Sequence, residues 1–137
     1  MQEIGTPDRQ AGHWYSRPVL FVSDVERSRR FYVDRLGFTE AWRHAENGKE
    51  LVAEVSRAGC VLLLSSQWPD KVGSALTFVS LDPLDLAALQ DEYQRRKVDL
   101  REGWWGYRLM IVEDPDGNLL YFPWPQNQES TEDRAFQ

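Results

Sequence analysis

Short runs in which apolar and polar residues alternate cover most of this chain, and two longer stretches break them with helical spacing. Residues 17–23, RPVLFVS, alternate and are rich in Val, Leu and Phe, which predicts a strand. Ser23 and Glu26 have the S-x-x-E spacing of a capping box, so a helix is expected to start directly after it. In VERSRRFYVDRL, helical spacing puts Val25, Ser28, Tyr32 and Leu36 on one side and most of the arginines on the other. Gly37 is placed to end that helix in the left-handed conformation. FTEAWRHA, ELVAEVS and CVLLLSS then read as three strands, joined by turns at AENGKE and RAG.

The pattern starts again at SALTFVSLD, a strand. Asp82 and Pro83 supply an N-cap and a first-turn proline for the helix PLDLAALQDEYQRRK, whose Leu86, Leu89 and Tyr93 form one stripe. A short strand near VDLRE, the strand GYRLMIVE, the turn DPDG and the strand NLLYFPW complete a second copy of strand, helix, three strands. Local echoes support a duplication. Phe21-Val22-Ser23 recurs as Phe78-Val79-Ser80, and Gly59 before CVLLL matches Gly117 before NLLYF, each run leading to a Trp-Pro pair. The folded unit is expected over 14–125, with modules of about 14–70 and 71–125, a polar N-terminal arm (1–13) and a polar C-terminal tail (126–137).

Composition narrows the function. The chain has 137 residues, 42% of them hydrophobic, enough for one domain with a core. No stretch approaches the length needed to span a bilayer, and the first residues lack the basic start and apolar run of a secretory signal. A single cysteine, Cys60, excludes an internal disulfide, fits a reducing cytoplasm and reads as a small buried hydrophobe. With 22 acids against 16 bases the net charge is −6, which disfavours nucleic acid or an anionic membrane as partner. Six tryptophans are many for this length, and some are expected to line a cleft.

PVLFVSDVERSRRFYVDRLGF resembles the opening of the vicinal-oxygen-chelate superfamily, which includes glyoxalase I, extradiol dioxygenases and bleomycin-resistance proteins. WWGYRLMIVEDPDGNLLYF resembles its closing, with Gly106 and Arg108 ahead of the DPDGN turn. The resemblance spans residues 17 to 125 and implies an α+β fold: two tandem βαβββ modules whose mixed sheet curls around a cleft, helices outside, often completed as a homodimer. Metal-dependent members hold a divalent cation through four His, Glu or Gln positions on the first and fourth strands of the modules. Carried onto this chain, those positions are Arg17, Leu63, Ser74 (or Ala75 if Leu81 shifts the register) and Tyr121. Arginine keeps its proton and repels a cation, and leucine has no donor atom. No metal and no cofactor are therefore expected.

Other metal or catalytic sets are weak. His13 falls in the arm and His44 near a turn; a site from His44, Glu54 and a further acid would need tertiary assembly, and neither histidine has a Ser or Cys fixed beside it. Asp24 and Asp82 read as helix-start residues. What remains are the cleft walls: Arg17, Trp42, Trp68, Trp104, Trp105, Tyr107 and Tyr121 are the expected ligand-binding residues, with Trp42 and Trp124 also candidates for the space between sheet and helix. Tyr121 is expected in one layer with Arg17, and the arginine charge to favour an anionic or carbonyl-bearing ligand over bleomycin itself. The expected function is metal-independent binding or sequestration of a small aromatic molecule, similar to bleomycin resistance and without catalysis. The alternatives are a glyoxalase- or dioxygenase-type enzyme with unusual ligands and an accessory protein with a filled cleft.

Overall fold

The structure is a computed structural model that describes Gly12 and residues 14–125. The expected arm, apart from Gly12, the expected tail and His13 lie outside the described residues.

Two four-stranded mixed sheets follow one another along the chain. The first comprises β1 (Val19–Phe21), β2 (Thr39–Glu46), β3 (Lys49–Arg57) and β4 (Cys60–Ser65) in the order β1-β4-β3-β2. The second comprises β5 (Leu76–Phe78), β6 (Leu100–Trp104), β7 (Arg108–Glu113) and β8 (Leu119–Pro123) in the equivalent order β5-β8-β7-β6. Helix α1 (Val25–Arg30) follows β1 and helix α2 (Pro83–Arg95) follows β5. In each sheet the first strand runs parallel to the fourth, and the other ladders are antiparallel.

Strand alternation sends every second residue beneath a helix. Leu20, Val22, Ala53, Val55, Leu62 and Leu64 of the first sheet and Met110, Val112, Leu120 and Phe122 of the second share one core with Val25, Tyr32 and Leu36 after β1 and Leu86, Leu89 and Tyr93 of α2. Each such aliphatic side chain stabilises by roughly 1.5–3 kcal/mol. Ser28, the polar member of the first stripe, is fully buried with it.

Four local features differ from the sequence expectation. β1 and β5 are only three residues long; after β1, Ser23 turns its amide to the Asp116 carboxylate instead of continuing the strand. The cap of α1 is Asp24, whose carboxylate accepts from the Arg27 amide, so Ser23 is not the capping residue. Asp82 starts α2 without a side-chain cap bond. The α1 helix ends in a wider π-helical turn over Phe31–Arg35, closed by a bond from the Leu36 amide to the Phe31 carbonyl.

The modules are joined by the turn between β7 and β8. Asp114, 5% exposed, accepts from the Tyr32 hydroxyl at 3.1 Å and from the amides of Asp116 and Asn118. Asn118 donates to the Phe21 carbonyl and accepts from the Ala75 amide. Asp116 receives the Ser23 amide and hydroxyl and the Arg27 guanidinium. Burial works to raise the Asp116 pKa, but the Ser23 and Arg27 bonds outweigh it and hold the carboxyl below its ordinary value. A second junction uses Arg57, which donates to both Glu92 carboxylate oxygens and to the Leu36 carbonyl, where the Tyr93 hydroxyl also donates.

Candidate functional site

The side of each sheet away from the helices carries the residues singled out by sequence. Across the first sheet, ladder register aligns Val19, Leu63, Glu54 and Trp42 in one row and Phe21, Ser65, Val52 and His44 in the next. A register shift between Glu40 and Trp42 brings the indole opposite Glu54. Glu54 Oε1 accepts from Arg17 Nη1 and from Trp42 Nε1, both at 3.2 Å. The Glu54 side chain is 15% exposed and the Arg17 side chain 52%, so the pair is half-screened and contributes at most about 1 kcal/mol. Its larger effect is positional: it holds the Trp42 ring at the sheet surface.

Across the second sheet the matching row is Phe78, Tyr121, Ile111 and Arg101. Trp105, in the turn after β6, lies against it. Its ring stacks on Phe78 with centroids 5.7 Å apart and meets Tyr121 at 5.0 Å, tilted by 57°. Trp68 makes the corresponding contact in the first module, edge-on to Phe21 at 5.6 Å, with the Lys71 ammonium 5.5 Å from the centre of its ring. Each module therefore sets one tryptophan against the phenylalanine of the repeated Phe-Val-Ser. That repeat is the sequence signal for Phe21 and Phe78, which are not among the binding residues expected from sequence. Glu54, expected from sequence only as a member of a metal set with His44, instead anchors Arg17 and Trp42.

The other expected residues are distributed differently. Trp104 is 66% exposed and ends β6 beside the ion pair of Glu102 with Arg108. Tyr107 is partly buried in the same turn, where its carbonyl accepts from the Trp105 amide. Trp42 is 46% exposed and belongs to the open face, not to the layer between sheet and helix. Trp124 packs partly buried against the core with the Arg108 guanidinium 4.1 Å from its ring centre. Tyr121 and Arg17 belong to different modules: Tyr121 on β8 packs on Trp105, and the partner of Arg17, just ahead of β1, is Glu54. Cys60 is half-buried, and burial pushes its thiol pKa up, which suits packing and not nucleophilic attack.

Register also refines the family's four metal positions. Val19 lies opposite Leu63 and Leu76 opposite Leu119, so Ser74 is the counterpart of Arg17 and the shift to Ala75 does not occur. Phe21 faces Ser65 while Phe78 faces Tyr121. The counterpart of Tyr121 is thus Ser65, two residues beyond Leu63. The glycine echo misaligned them because β3 and β4 join through two residues, Ala58-Gly59, whereas β7 and β8 join through five. The donor chemistry does not fit a metal in either alignment. Arg17 is cationic, the Ser74 hydroxyl donates to the Lys71 carbonyl, and the Ser65 hydroxyl accepts from the Gln67 amide. His44 is hydrogen-bonded to Glu46, away from Glu54. Among the described residues no three His, Cys, Asp or Glu side chains group as ligands.

Comparison with known proteins agrees with this architecture. A family model described as "Glyoxalase superfamily protein" matches residues 10–129. Proteins named bleomycin resistance protein, from Geobacillus stearothermophilus and Staphylococcus aureus, are each 25% identical over 124 residues, covering 78% of this chain and 93% of theirs. Among solved structures, an antibiotic binding protein from Streptomyces sp. CB03234 superposes with a TM-score of 0.64 at 24% identity, covering 82% of this chain and 97% of that one. The bleomycin-binding protein of Streptomyces verticillus, complexed with copper(II)-bleomycin, gives 0.62 at 25% identity with the same coverages. Lactoylglutathione lyase from Agrobacterium tumefaciens gives 0.60 at 16% identity, covering 80% and 92%. Two mixed sheets in the same strand order, each backed by one helix, and a family match across all of 14–125 together show that this chain belongs to the glyoxalase superfamily, on its bleomycin-resistance-like branch.

Proposed function

We propose that this protein binds and sequesters a small planar aromatic molecule on the open sheet faces, without a metal and without chemical conversion. The observation that carries this reading is the Phe78–Trp105–Tyr121 cluster, with Trp105 still 52% exposed beside two ring contacts. Flat rings held by one another but left half in water offer a face for a further ring, worth about 0.5–1.5 kcal/mol per aromatic pair beyond the area buried. Arg17 supports a different ligand charge than sequence reasoning expected. Its guanidinium is bonded to Glu54, and Arg101 pairs with Glu113, so these two guanidiniums are offset by acids. The preference for an anionic ligand falls away, and a neutral or cationic heteroaromatic antibiotic, as the names of the relatives suggest, fits at least as well.

A homodimer belongs to the same proposal. All eight residues of the edge strand β2 are exposed, and Val19, Leu76 and Phe78 are exposed apolar residues on the faces that would meet a second copy. Light scattering should then give about twice the 16.0 kDa chain mass. The setting is the cytoplasm, where Cys60 stays a thiol. Among the described residues no helix is long and apolar enough to cross a membrane.

The direct test is a tryptophan-fluorescence titration with metal-free bleomycin and a set of planar aromatic antibiotics, with and without EDTA. Saturable quenching at micromolar concentration, unchanged by the chelator, is the expected result. Stoichiometric zinc, nickel, iron or manganese in protein purified without chelator, together with turnover of an added compound, would replace this reading with a metalloenzyme.

A further inference from the structure

A concavity lies at the seam between the modules, beside β5 and α2. It has a volume of about 610 Å³ and is bounded by the Ala58-Gly59 turn, β5, the segment that follows it, and one side of α2. We propose that this seam groove is a binding site for a compact, neutral, mostly apolar molecule carrying a hydroxyl group. The groove shares Phe78 with the aromatic cluster but neither Trp105 nor Tyr121, so the two sites can be told apart by experiment.

The duplication explains why the groove exists. In the first module, the start of α1 is covered by the five-residue β7–β8 turn, whose Asp116 takes the Ser23 amide and hydroxyl and whose Asn118 takes the Phe21 carbonyl. The reciprocal place, where the start of α2 meets the β3–β4 turn, has only Ala58 and Gly59 to fill it. Ser80, the repeat partner of Ser23, lines the groove there.

The wall chemistry defines the occupant. Phe38, Val61, Leu89 and Phe122 make it apolar. Thr77 occupies the position that Leu20 holds in the first module, where the leucine is completely buried. Thr77 lines the groove, while its hydroxyl is turned inward and buried, among the described residues the buried side-chain oxygen left without a hydrogen-bond partner. A rotation about χ1 that exchanges its methyl and hydroxyl groups would present that oxygen to the groove. A buried hydroxyl in that state favours a ligand group that can donate to it or accept from it. Arg57, on the rim, is bonded to Glu92 through both carboxylate oxygens and offers no free positive charge. Asp85, also on the rim, adds a negative one, so an anion is disfavoured.

The test uses the full chain with carbon-13-labelled methyl groups and three probes: 2-naphthol, naphthalene and naphthalene-2-sulfonate. With 2-naphthol, the methyl signals of Thr77, Ala88 and Leu89 should shift and saturate. Naphthalene, which lacks the hydroxyl, should bind there about tenfold more weakly, as should the sulfonate. Thr77→Val should shrink the preference for 2-naphthol over naphthalene to about twofold or less. Ala88 is exposed on α2, so Ala88→Trp can block the groove without disturbing the core; it should abolish the shifts of the Thr77 and Leu89 methyls. Any response of the Trp68 and Trp105 indole signals should survive Ala88→Trp, which separates this site from the open faces. The proposal is overturned if the three methyls do not respond to 2-naphthol. It is also overturned if the Thr77 and Leu89 shifts persist in Ala88→Trp, or if 2-naphthol and naphthalene bind wild type equally.

Discussion

Trp105 stacks on Phe78 with ring planes 9° from parallel, although 26 intervening residues separate the two along the chain. The contact forms because the turn after β6 folds back over the edge strand β5, and Tyr121 on β8 meets the same indole. The arrangement leaves half of the Trp105 surface in water, which is costly for so large a ring unless something covers it in the working complex.

Replacing Trp105 with Ala should therefore cost binding more than folding. An aromatic ligand that stacks on it should bind about tenfold more weakly, in line with ~0.5–1.5 kcal/mol per ring contact plus lost area. The chemical-denaturation midpoint should move little, since the ring is not in the core. Calorimetric titration and a urea melt on the same preparation measure the two quantities. Equal losses in both would mean that Trp105 is a packing residue of the second sheet.

Tyr121→Phe isolates the hydroxyl, because the ring that touches Trp105 remains. A ligand oxygen bonded to the phenol should lose about tenfold in affinity, at the upper end of the ~0.5–1.5 kcal/mol of a typical hydrogen bond. The same calorimetric titration measures it, and an unchanged affinity would assign Tyr121 to the support of Trp105.

The pH dependence of stability follows from the groups at the module junctions and beneath β2. The Arg29 side-chain bonds outweigh burial at Glu50, and the Arg57 bonds do the same at Glu92; both carboxyls are held below their ordinary values, as is Asp116. A carboxyl depressed in the folded state stabilises above its unfolded pKa, and that contribution is lost as pH falls through the folded value. Thermal stability should thus decline below about pH 4.5, the region of the unfolded carboxyls. At the alkaline end burial raises the Tyr93 hydroxyl to about 12. Tyr32 is raised well above its ordinary value, by burial first and then by Asp114. A group raised in the folded state contributes fully below its unfolded pKa and loses that contribution as pH climbs through the folded one, so a second decline should begin above about pH 10. Differential scanning calorimetry across pH 3–12 should show a plateau between these limits, and Tyr93→Phe should reduce the alkaline slope.

Much of the fold was readable because periodicity reports burial directly. The stripes Val25, Ser28, Tyr32, Leu36 and Leu86, Leu89, Tyr93 are buried as their spacing predicted. Features that depend on partners far along the chain were not readable. Ser23 looked like a cap because its true partner, Asp116, lies in the other module. The match of Leu63 to Tyr121 failed because a strand echo says nothing about turn length, and the ladders put Ser65 there instead. The bond from Arg17 to Glu54 needs the register of β1, β4 and β3 together, which no local spacing carries. The aromatic residues of the site were visible as a composition excess, but which of them meet was set by that same long-range pairing.

The tightest long-range approach gives the sharpest stability contrast. Gly73, between the modules, has a φ of +78°, and a Cβ there would come within 2.2 Å of the Asp116 carbonyl oxygen. Gly48, in the β2–β3 turn, has the same φ of +78°, but a Cβ there meets nothing within 4 Å. An Ala at either position carries the left-handed backbone cost, on the order of 1 kcal/mol. Only Gly73→Ala must also push apart backbone atoms, and the backbone it displaces is the turn that holds Ser23, Arg27 and Tyr32 through Asp116 and Asp114. Gly48→Ala should lower unfolding stability by about 1 kcal/mol, and Gly73→Ala by about 3 kcal/mol or more, as the junction bonds loosen with it. Urea denaturation of the two variants beside wild type measures the difference. Equal losses would show that the seam between the modules yields to the added methyl group and is not the rigid joint that these contacts describe.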